Sequence, residues 1–370
     1  MIQKEKGIVN CGNLERIYRV MQRAMQGERI TIGFIGGSIT QGSLASAAHK
    51  CYAYLVYRWW VDAFPKAEIE YINVGIGGTN SQFGAARVEE DLLKYQPDVV
   101  FVEFSVNDFN EEHFKETYEG LIRKLLKDEH KIAVVLVHNV RYDNMESAEE
   151  IHLEIGKAYD LPCISMKSTI YPEIVAGGIG LRDITPDGLH PNDTGHSLVA
   201  GIINYFLNKV YQKSVEMLLE ERNDRLPAPI TKNRYENSRR YQNYNCTPVL
   251  EGFLEDKEPE QQITQLFRNG FIAWNKGDRI TFEVEGSTIG VQYRKSVKKP
   301  TPIAKVMIDG EEKDRVILDG NFEEDWGDCL YLETIAENLS NEVHKVEITI
   351  TEAHENDVVP FYLVSVIGSN

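Results

Sequence analysis

The sequence predicts two domains, a doubly wound α/β layer followed by an all-β sandwich or jelly roll. Three observations predict this architecture. Residues 1–215 alternate short apolar runs with helical patterns, residues 216–248 are polar, contain prolines and have no clear period, and residues 249–370 form short strand-like runs punctuated by glycine. The 370 residues are enough for two ordinary domains. We therefore expect the first domain over 1–215, a linker or wrapping segment over 216–248, and the β domain over 249–370.

The first domain is predicted from strands that are apolar throughout. Continuous apolar runs are typical of a parallel sheet that is covered on both faces. The expected strands are 30–35, 68–74, 98–104, 132–137 and 161–165, and the expected helices lie at about 50–64, 80–95, 111–128 and 146–159. A last helix is expected to open at Asp193, a favoured N-cap residue type, with one apolar face made of Leu198, Ile202, Phe206 and Val210.

The β domain is predicted from at least six short strands without a strong helix. The expected strands are 279–286, 288–294, 303–310, 314–320, 344–353 and 360–368. Within "IDGEEKD", Asp309 and Gly310 are expected to supply the positive φ angles of a hairpin turn. This pattern favours a sandwich or a jelly roll.

Composition and charge limit the function classes. Hydrophobic residues make up 42% of the chain and charged residues 26%, as in a folded globular protein. The net charge of -17 argues against binding to nucleic acid and against docking on anionic membranes. No apolar run approaches the roughly 20 residues that span a bilayer. A neutral substrate fits this charge best.

The cysteines and the N-terminal sequence predict a cytoplasmic protein. The five cysteines are an odd number, widely spaced and without a CxxC pair, which fits reduced thiols better than disulfides or a zinc site. Cys51 and Cys163 lie in apolar segments, where buried structural thiols are expected. The first residues show no apolar core of a secretion signal.

Polar residues cluster where the predicted strands end. Ligands gather at the carboxyl ends of strands in an open α/β sheet. The first strand runs into "GGS" (36–38), the second into "NVGIGGTN" (73–80) and the third into "EFSVND" (103–108), while "TPDGLHPN" (185–192) precedes the last helix. These four segments supply a serine, a glycine turn, an asparagine and an Asp/His pair.

These residue types are the parts of a serine hydrolase. A serine hydroxyl needs a base to become nucleophilic, and a neutral histidine oriented by a carboxylate is such a base. Asp187 precedes His190 by one turn of chain, so its carboxylate can reach the imidazole. The backbone N–H groups of Ser38 and Gly78 and the side-chain amide of Asn107 are the expected donors to an oxyanion. Glycine at position 78 leaves the backbone open to a substrate.

The four segments resemble the sequence blocks of the SGNH (GDSL-type) hydrolases. They follow the order of that family across about residues 29–212. The resemblance implies a flavodoxin-like three-layer α/β/α fold and ester hydrolysis through an acyl-enzyme, without metal or cofactor. Two positions differ from the family pattern. Gly37 stands where Gly-Asp-Ser has aspartate, and Ser105 stands where the asparagine block has glycine, so that Ser105 either narrows the pocket or adds a donor.

Structural explanations compete with several of these assignments. Ser38 taken alone is equally well read as a helix N-cap. The "GGSITQGS" stretch lacks the Gly-Lys-[Ser/Thr] ending of a phosphate loop and the GxGxxG of a dinucleotide site. Asp108 either makes local hydrogen bonds, which is the more common role, or binds substrate. His138 and His196 are expected to be structural, and the histidines show no metal-like spacing.

Aromatic residues of the β domain raise the question of sugar binding. Large aromatic side chains in β-sandwiches are core residues more often than binding platforms. Trp326 differs because it lies in "GNFEEDWGD" (320–328), a polar loop bounded by glycines. We expect Trp326 to contact substrate.

The sequence therefore predicts a two-domain esterase that removes acetyl groups from oligosaccharides. The overall organisation resembles two-domain bacterial acetylesterases of plant polysaccharides, mannan acetylesterases among them, with a β domain like a carbohydrate-binding module. Two alternatives stay open: a thioesterase or lipid-type acylhydrolase on the same scaffold, and a non-catalytic glycan-binding protein. The sugar, the acetylated position and the oligomeric state are open at this stage.

Overall fold

The computed structural model describes residues 2–215, 225–258, 266–311 and 316–370. The chain divides into two compact units, Met1–Asn233 and Arg234–Asn370. Of the segment predicted to connect two domains, residues 225–233 belong to the first unit and residues 234–248 to the second, while residues 216–224 lie outside the described residues.

The first unit alternates helices and strands along the chain. Its helices are α1 (Glu15–Met25), α2 (Ser38–Gln41), α3 (Tyr52–Ala63), α4 (Ser81–Asp91), α5 (Glu112–Lys127), α6 (Glu149–Ala158), α7 (Ile170–Val175), α8 (Leu181–Ile184) and α9 (Asp193–Ser214). Its strands are β1 (Ile8–Asn10), β2 (Ile30–Gly36), β3 (Ile69–Asn73), β4 (Val99–Glu103), β5 (Ala133–His138) and β6 (Cys163–Ser165).

The sheet of the first unit has the strand order β1-β6-β5-β4-β2-β3. Strands β2 to β6 are parallel, and the short edge strand β1 is antiparallel to β6. The parallel strands follow the flavodoxin-like order, in which the connection reverses direction at β2. The carboxyl ends of β2, β3 and β4 therefore meet at the switch point, where a crevice is expected.

Helices cover the sheet on both faces. Helix α9 contacts α1 and α3 on one face, and α5 contacts α4 and α6 on the other. Alternate strand residues such as Ile32, Phe34 and Phe101 share one buried cluster with Trp60 of α3 and Phe206 of α9. Because both faces are buried, β2, β4 and β5 carry buried residues at every position.

The second unit is an antiparallel β-sandwich. Its strands are β7 (Arg239–Tyr241), β8 (Val249–Glu251), β9 (Leu254–Glu255), β10 (Phe271–Ala273), β11 (Arg279–Gly286), β12 (Thr288–Lys295), β13 (Ile303–Ile308), β14 (Val316–Asp319), β15 (Cys329–Ala336), β16 (Glu342–Glu352) and β17 (Phe361–Ser369). One sheet has the order β15-β12-β17-β10-β9 with β7 paired to β17, and the other has β14-β13-β16-β11-β8. Side chains of both sheets form one buried cluster.

The predicted fold class is confirmed, and some elements differ in detail. Asn192, not Asp193, caps the last helix, because its side chain accepts the N–H groups of Thr194 and Gly195. The structure adds elements that the sequence prediction omits, namely helices α1, α2, α7 and α8 and strands β1, β7, β8, β9, β10 and β15. In the β13–β14 hairpin, Asp309 and Gly310 have φ angles of 53° and 77°, and residues 312–315 lie outside the described residues.

Two further predictions concern the burial of the cysteines and the membrane-spanning character of the helices. Cys51 and Cys163 are buried, and the five cysteines are unpaired. Within the described ranges, no helix has both the length and the apolar character needed to cross a membrane.

Candidate active site

Ser38 lies at the start of a single helical turn that follows the central strand β2. Gly37 occupies the N-cap position without a side chain, so Ser38 is the first helical residue and not the cap. Its Oγ lies 2.9 Å from Nε2 of His190. Ser38 is only 7% exposed, so the nucleophile turn is largely closed to solvent.

The two glycines before Ser38 are required by space. A Cβ atom on Gly36 would lie 2.4 Å from the carbonyl oxygen of Glu103, and one on Gly37 would lie 2.1 Å from Oδ1 of Asn107. Neither distance is tolerated, since non-bonded heavy atoms meet at about 3.5 Å or more. The Asn107 amide fills the space beside Gly37, so a side chain at position 37 would require this amide to shift.

Asp187 and His190 belong to one tight turn between α8 and α9. Oδ2 of Asp187 lies 2.6 Å from Nδ1 of His190. Oδ1 accepts the backbone N–H groups of Leu189 and His190 at 2.9 and 2.7 Å and the hydroxyl of Thr185 at 3.1 Å. Both carboxylate oxygens are therefore held, and the carboxylate faces the imidazole in a fixed orientation.

The environment of Asp187 keeps it ionised. Burial alone would raise the pKa of this carboxyl, but hydrogen bonds from His190 and from the backbone of Leu189 and His190 lower it to about 2. A carboxylate at Nδ1 selects the tautomer in which Nδ1 carries the proton. Nε2 is then free to accept the proton of Ser38, which is the arrangement that a nucleophilic serine requires.

The glycine turn after β3 is tied to the Ser38 turn. Nδ2 of Asn73 donates to the carbonyl oxygen of Thr40 at 2.8 Å, and Oδ1 of Asn73 accepts the N–H of Gly75 at 2.9 Å. Oε1 of Gln41 accepts the N–H of Gly77 at 2.7 Å. These bonds fix the backbone leading to Gly78 against the nucleophile turn.

Gly78 has the backbone geometry that the sequence assignment needs. Its φ of 70° lies in the left-handed region, where glycine is the least strained residue. A Cβ atom on Gly78 would meet no atom within 4 Å, so this residue faces open space. Within the described part of the chain, the N–H groups of Ser38 and Gly78 donate to no acceptor.

Asn107 lies in the turn that follows β4, against Gly37. Its backbone N–H donates to the carbonyl oxygen of Phe104 at 2.9 Å. A Cβ atom on Gly37 would lie 2.1 Å from Oδ1 of Asn107 but 3.3 Å from Nδ2, so the amide nitrogen is directed away from Gly37. The structure thus brings Ser38, His190, Asp187 and Asn107 together at the carboxyl edge of the sheet.

Asp108 and Ser105 are occupied within the protein. Asp108 is 4% exposed, and its two carboxylate oxygens contact the N–H of Ser81 and Nε2 of His152, each at 2.9 Å. This burial favours the structural alternative for Asp108 over contact with substrate. The hydroxyl of Ser105 donates to the carbonyl oxygen of Asn139 at 2.9 Å, so it neither narrows an open pocket nor offers a donor there.

Trp326 lies in the second unit and is 60% exposed. Its indole N–H donates to the Glu324 carboxylate, and its ring meets that of Phe322 edge to face with 5.1 Å between centroids. The loop thus presents an aromatic face to solvent.

His138 and His196, which the sequence predicts to be structural, are buried. His196 accepts the N–H of Tyr52 at Nδ1 and contacts the carbonyl oxygen of Ser43 through Nε2. His138 ends β5, and burial holds its pKa well below the usual value. Among the described residues, no group of three or more His, Cys, Asp and Glu side chains is arranged to hold a metal ion.

The structure also shows a carboxyl that the sequence assignment omits. Glu103, the last residue of β4, is fully buried and contacts Thr40 of the nucleophile turn through Oε2 at 3.4 Å. The signal was available in "VVFVEF", because a glutamate inside an apolar buried strand is unusual unless it is paired.

Comparisons with known proteins give the family and the relatives of the chain. Residues 34–198 match the model of the GDSL-like lipase/acylhydrolase family. The chain is similar to a crystal structure of a two-domain esterase (CEX) active on acetylated mannans, co-crystallised with mannopentaose, at 56% identity, with a TM-score of 0.95 and coverage of 100% of this chain and 98% of that one. A second crystal structure of a two-domain esterase (CEX) active on acetylated mannans is 55% identical, with a TM-score of 0.96 and coverage of 100% and 99%.

A more distant relative matches about half of the chain. Thioesterase 1/protease 1/lysophospholipase L1 of Escherichia coli strain K12 is 26% identical over 179 residues, which are 46% of this chain and 79% of that protein.

Proposed function

The chain belongs to the GDSL-like lipase/acylhydrolase family, and we propose that it is a serine esterase that removes O-acetyl groups from oligosaccharides of plant polysaccharides, such as manno-oligosaccharides. The observation that carries the proposal is the continuous contact from Ser38 Oγ to His190 (2.9 Å) and from His190 to Asp187 (2.6 Å). The substrate class is supported by the two-domain esterase at 56% identity, which is active on acetylated mannans.

The proposed reaction begins with attack of Ser38 on the acetyl carbonyl. Nε2 of His190 takes the hydroxyl proton, and the Asp187 carboxylate stabilises the imidazolium that forms. The oxyanion is stabilised by the backbone N–H groups of Ser38 and Gly78 and by the Asn107 amide. The two backbone donors are already held in place by the contacts of their turns, so little reorganisation of these two groups is needed during the reaction.

The second half of the reaction reverses the proton transfer. His190 gives its proton to the departing sugar hydroxyl, which leaves an acetyl group on Ser38. Water then gives a proton to the same imidazole and attacks the acetyl carbonyl. The bond from this carbon to Oγ of Ser38 breaks as His190 returns the proton to Oγ, and acetate is released. The residues assigned to these steps include no metal ligand.

The β-sandwich is proposed to bind the sugar chain. The exposed ring of Trp326 offers a flat apolar face, which suits the apolar face of a sugar ring. Replacing Trp326 by alanine should then raise KM for acetylated oligosaccharides and leave the hydrolysis of p-nitrophenyl acetate unchanged, since the small ester does not need the chain contact.

Release of acetate tests the proposal directly. We would follow deacetylation by NMR on acetylated manno-, xylo- and cello-oligosaccharides, and compare p-nitrophenyl esters of increasing acyl length. A clear preference for chains beyond about six carbons would instead favour a lipid-type acylhydrolase or a thioesterase, because an acetyl-specific site has no use for a long apolar channel.

Covalent labelling separates an esterase from a non-catalytic glycan-binding protein. A fluorophosphonate should label wild-type protein and not Ser38→Ala, while Ser43→Ala in the same loop should label normally. Ser38→Ala and His190→Ala should each remove most activity, and the double variant should lose little more, because the two side chains act as a unit. Absence of labelling and of acetate release in the wild type would contradict the proposal.

A further inference from the structure

A carboxyl group lies buried beneath the proposed nucleophile turn. Glu103 is fully buried, and its backbone pairs with Gly36 across the β2–β4 ladder, while its carbonyl oxygen accepts the N–H of Gly37 at 3.3 Å. Burying a carboxyl is costly unless it is hydrogen-bonded. The reaction proposed above makes no use of this group, so its position calls for a separate explanation.

The Glu103 carboxyl contacts two of the three turns that carry proposed oxyanion donors. Oε2 accepts the hydroxyl of Thr40, which lies two residues after Ser38, at 3.4 Å. Oε1 lies 3.3 Å from Oγ of Ser105, which precedes Asn107 by two residues. Both distances are long for hydrogen bonds. The link that the Glu103 carboxyl makes between Thr40 and Ser105, which we call the bridge, therefore depends on each hydroxyl being held by a second partner.

Second partners hold both hydroxyl groups. Oγ1 of Thr40 lies 2.8 Å from the hydroxyl of Tyr52, and Oγ of Ser105 donates to the carbonyl oxygen of Asn139 at 2.9 Å. Thr40, Tyr52 and Ser105 are fully buried. Because these groups are buried, water does not compete for their hydrogen bonds. A buried polar network of this kind favours one arrangement of its members.

The charge state of Glu103 responds to its surroundings. Burial raises its pKa to about 7, hydrogen bonds from neighbouring side chains oppose the rise, and the charge of Asp108 adds to it. The other titratable groups that face it are Tyr52, Tyr118 and Tyr142, whose hydroxyl pKa values burial raises and the Glu103 charge raises further. All three are therefore neutral near pH 7.

We propose that Glu103 is a positioning residue that, through Thr40 and Ser105, fixes the distance between the Ser38 turn and the Asn107 turn. This inference rests on the proposed esterase function. Ser38 and Asn107 contribute donors to the same oxyanion from two neighbouring strand ends, so their spacing depends on the contacts between the turns as well as on the pairing of β2 with β4. A misplacement of about 1 Å at such a site costs on the order of 10²-fold in rate.

Two variants remove the bridge without introducing a charge. Thr40→Val deletes one hydroxyl at nearly constant shape, and Glu103→Leu deletes the carboxyl at similar volume. Each should lower kcat for p-nitrophenyl acetate on the order of 10-fold, with KM within about two-fold, because positioning matters most in the transition state. The double variant should be no slower than the slower single variant, since both changes break the same bridge.

Stability measurements distinguish positioning from a purely structural role. Glu103→Leu removes a buried carboxyl, so the melting temperature should stay level or rise while kcat falls. Thr40→Ser keeps a hydroxyl and should restore most of kcat. Thr169→Val is the matched control, because Thr169 is also a buried threonine but donates to the backbone of Ser165 at 2.9 Å, away from this network.

The outcomes separate this inference from the proposed function. If Thr40→Val and Glu103→Leu keep kcat within two-fold of wild type, or if Thr169→Val loses as much, Glu103 does not position the site. The rate at which a fluorophosphonate labels Ser38 should fall in the same two variants. Labelling reports on the Ser38 turn even if the wild type releases no acetate from sugars, in which case only the proposed substrate fails.

Discussion

Replacing Glu103 by glutamine should change how the stability of the first unit depends on pH. Burial raises the pKa of the Glu103 carboxyl from 4.5 to about 7, so the folded state keeps a proton that the unfolded chain has already released. The stabilisation from this retained proton is complete below pH 4.5 and is lost as the pH rises towards 7. Glutamine keeps the shape but has no proton to lose.

The size of the effect follows from the two pKa values. Linkage between them predicts that the wild type loses about 2.5 kcal/mol relative to Glu103→Gln between pH 5 and pH 8. Because the comparison is between wild type and variant, all other titrating groups cancel to first order. The variant should therefore gain on the wild type as the solution becomes more basic, whatever its stability at pH 5.

Urea unfolding measures this difference in the first unit alone. Trp59 and Trp60 lie in α3, whereas Trp274 and Trp326 lie in the second unit. With the last two replaced by phenylalanine, indole fluorescence reports only the first unit, and the free energy of unfolding follows from linear extrapolation. Curves would be recorded at several values from pH 5 to pH 8 for both proteins.

A control removes one carboxylate from a solvated position. Glu90 is exposed at the end of α4, and Glu90→Gln accounts for the loss of a surface charge. If the difference between wild type and Glu103→Gln stays constant within about 0.5 kcal/mol over this range, Glu103 does not hold a proton in the folded state, and the reasoning from burial is wrong.

Three further predictions concern the reacting residues and are measured as kcat on p-nitrophenyl acetate. Asp187→Asn should lower kcat by about 10²–10⁴, because an amide at Nδ1 of His190 favours the wrong tautomer. In the wild type the pKa of Asp187 is lowered to about 2, so protonation of this carboxylate should reduce activity only below about pH 3. A wild-type level of kcat in Asp187→Asn would remove Asp187 from the mechanism. Asn107→Ala should cost about 10²–10³ in kcat, as for one oxyanion donor, and a silent variant would refute that role. Gly37→Ala should be comparably slow because its Cβ would lie 2.1 Å from Oδ1 of Asn107, yet it should add nothing in an Asn107→Ala background; additive losses would show that the clash lies elsewhere.

Much of the first unit could be predicted because its strands are buried on both faces. Strand β2 was expected over 30–35 and spans Ile30–Gly36, and β4 was expected over 98–104 and spans Val99–Glu103. Continuous apolar runs leave few alternatives for such segments. The edge strand β1 has only three residues, all half-buried, so neither its length nor its pattern separates it from a loop.

The location of the site was also predictable from topology. In a parallel sheet the carboxyl ends of all strands share one edge, so polar residues after each strand converge whatever the detailed packing. Ser38 and Asn107 come from β2 and β4, which are neighbours in the sheet, while His190 enters from the turn before α9. The order of the strand-end segments along the sequence was therefore enough to propose these residues for the site.

The contacts between turns could not be predicted in the same way. The packing of Gly37 on Asn107 joins residues of two different strand ends, and it depends on their separation to within a fraction of an ångström. Asp108 shows the same limit, because only its contacts with Ser81 and His152 decide between a structural role and a role in binding. Sequence pattern gives the residue types at the sheet edge, but the burial of each one is set by packing between elements.

The same distinction explains why Glu103 was omitted although its residue type is conspicuous. Reactive groups were sought after the strand ends, where they meet solvent, and Glu103 is the last residue of a strand, fully buried below that edge. A group in that position cannot touch substrate, so any effect of the carboxyl on the reaction must pass through the side chains that it contacts, Thr40 and Ser105 among them. Since those hydroxyl groups lie two residues from Ser38 and Asn107, a shift of either one moves a proposed oxyanion donor directly, and the rate should report the bridge more sensitively than the stability does.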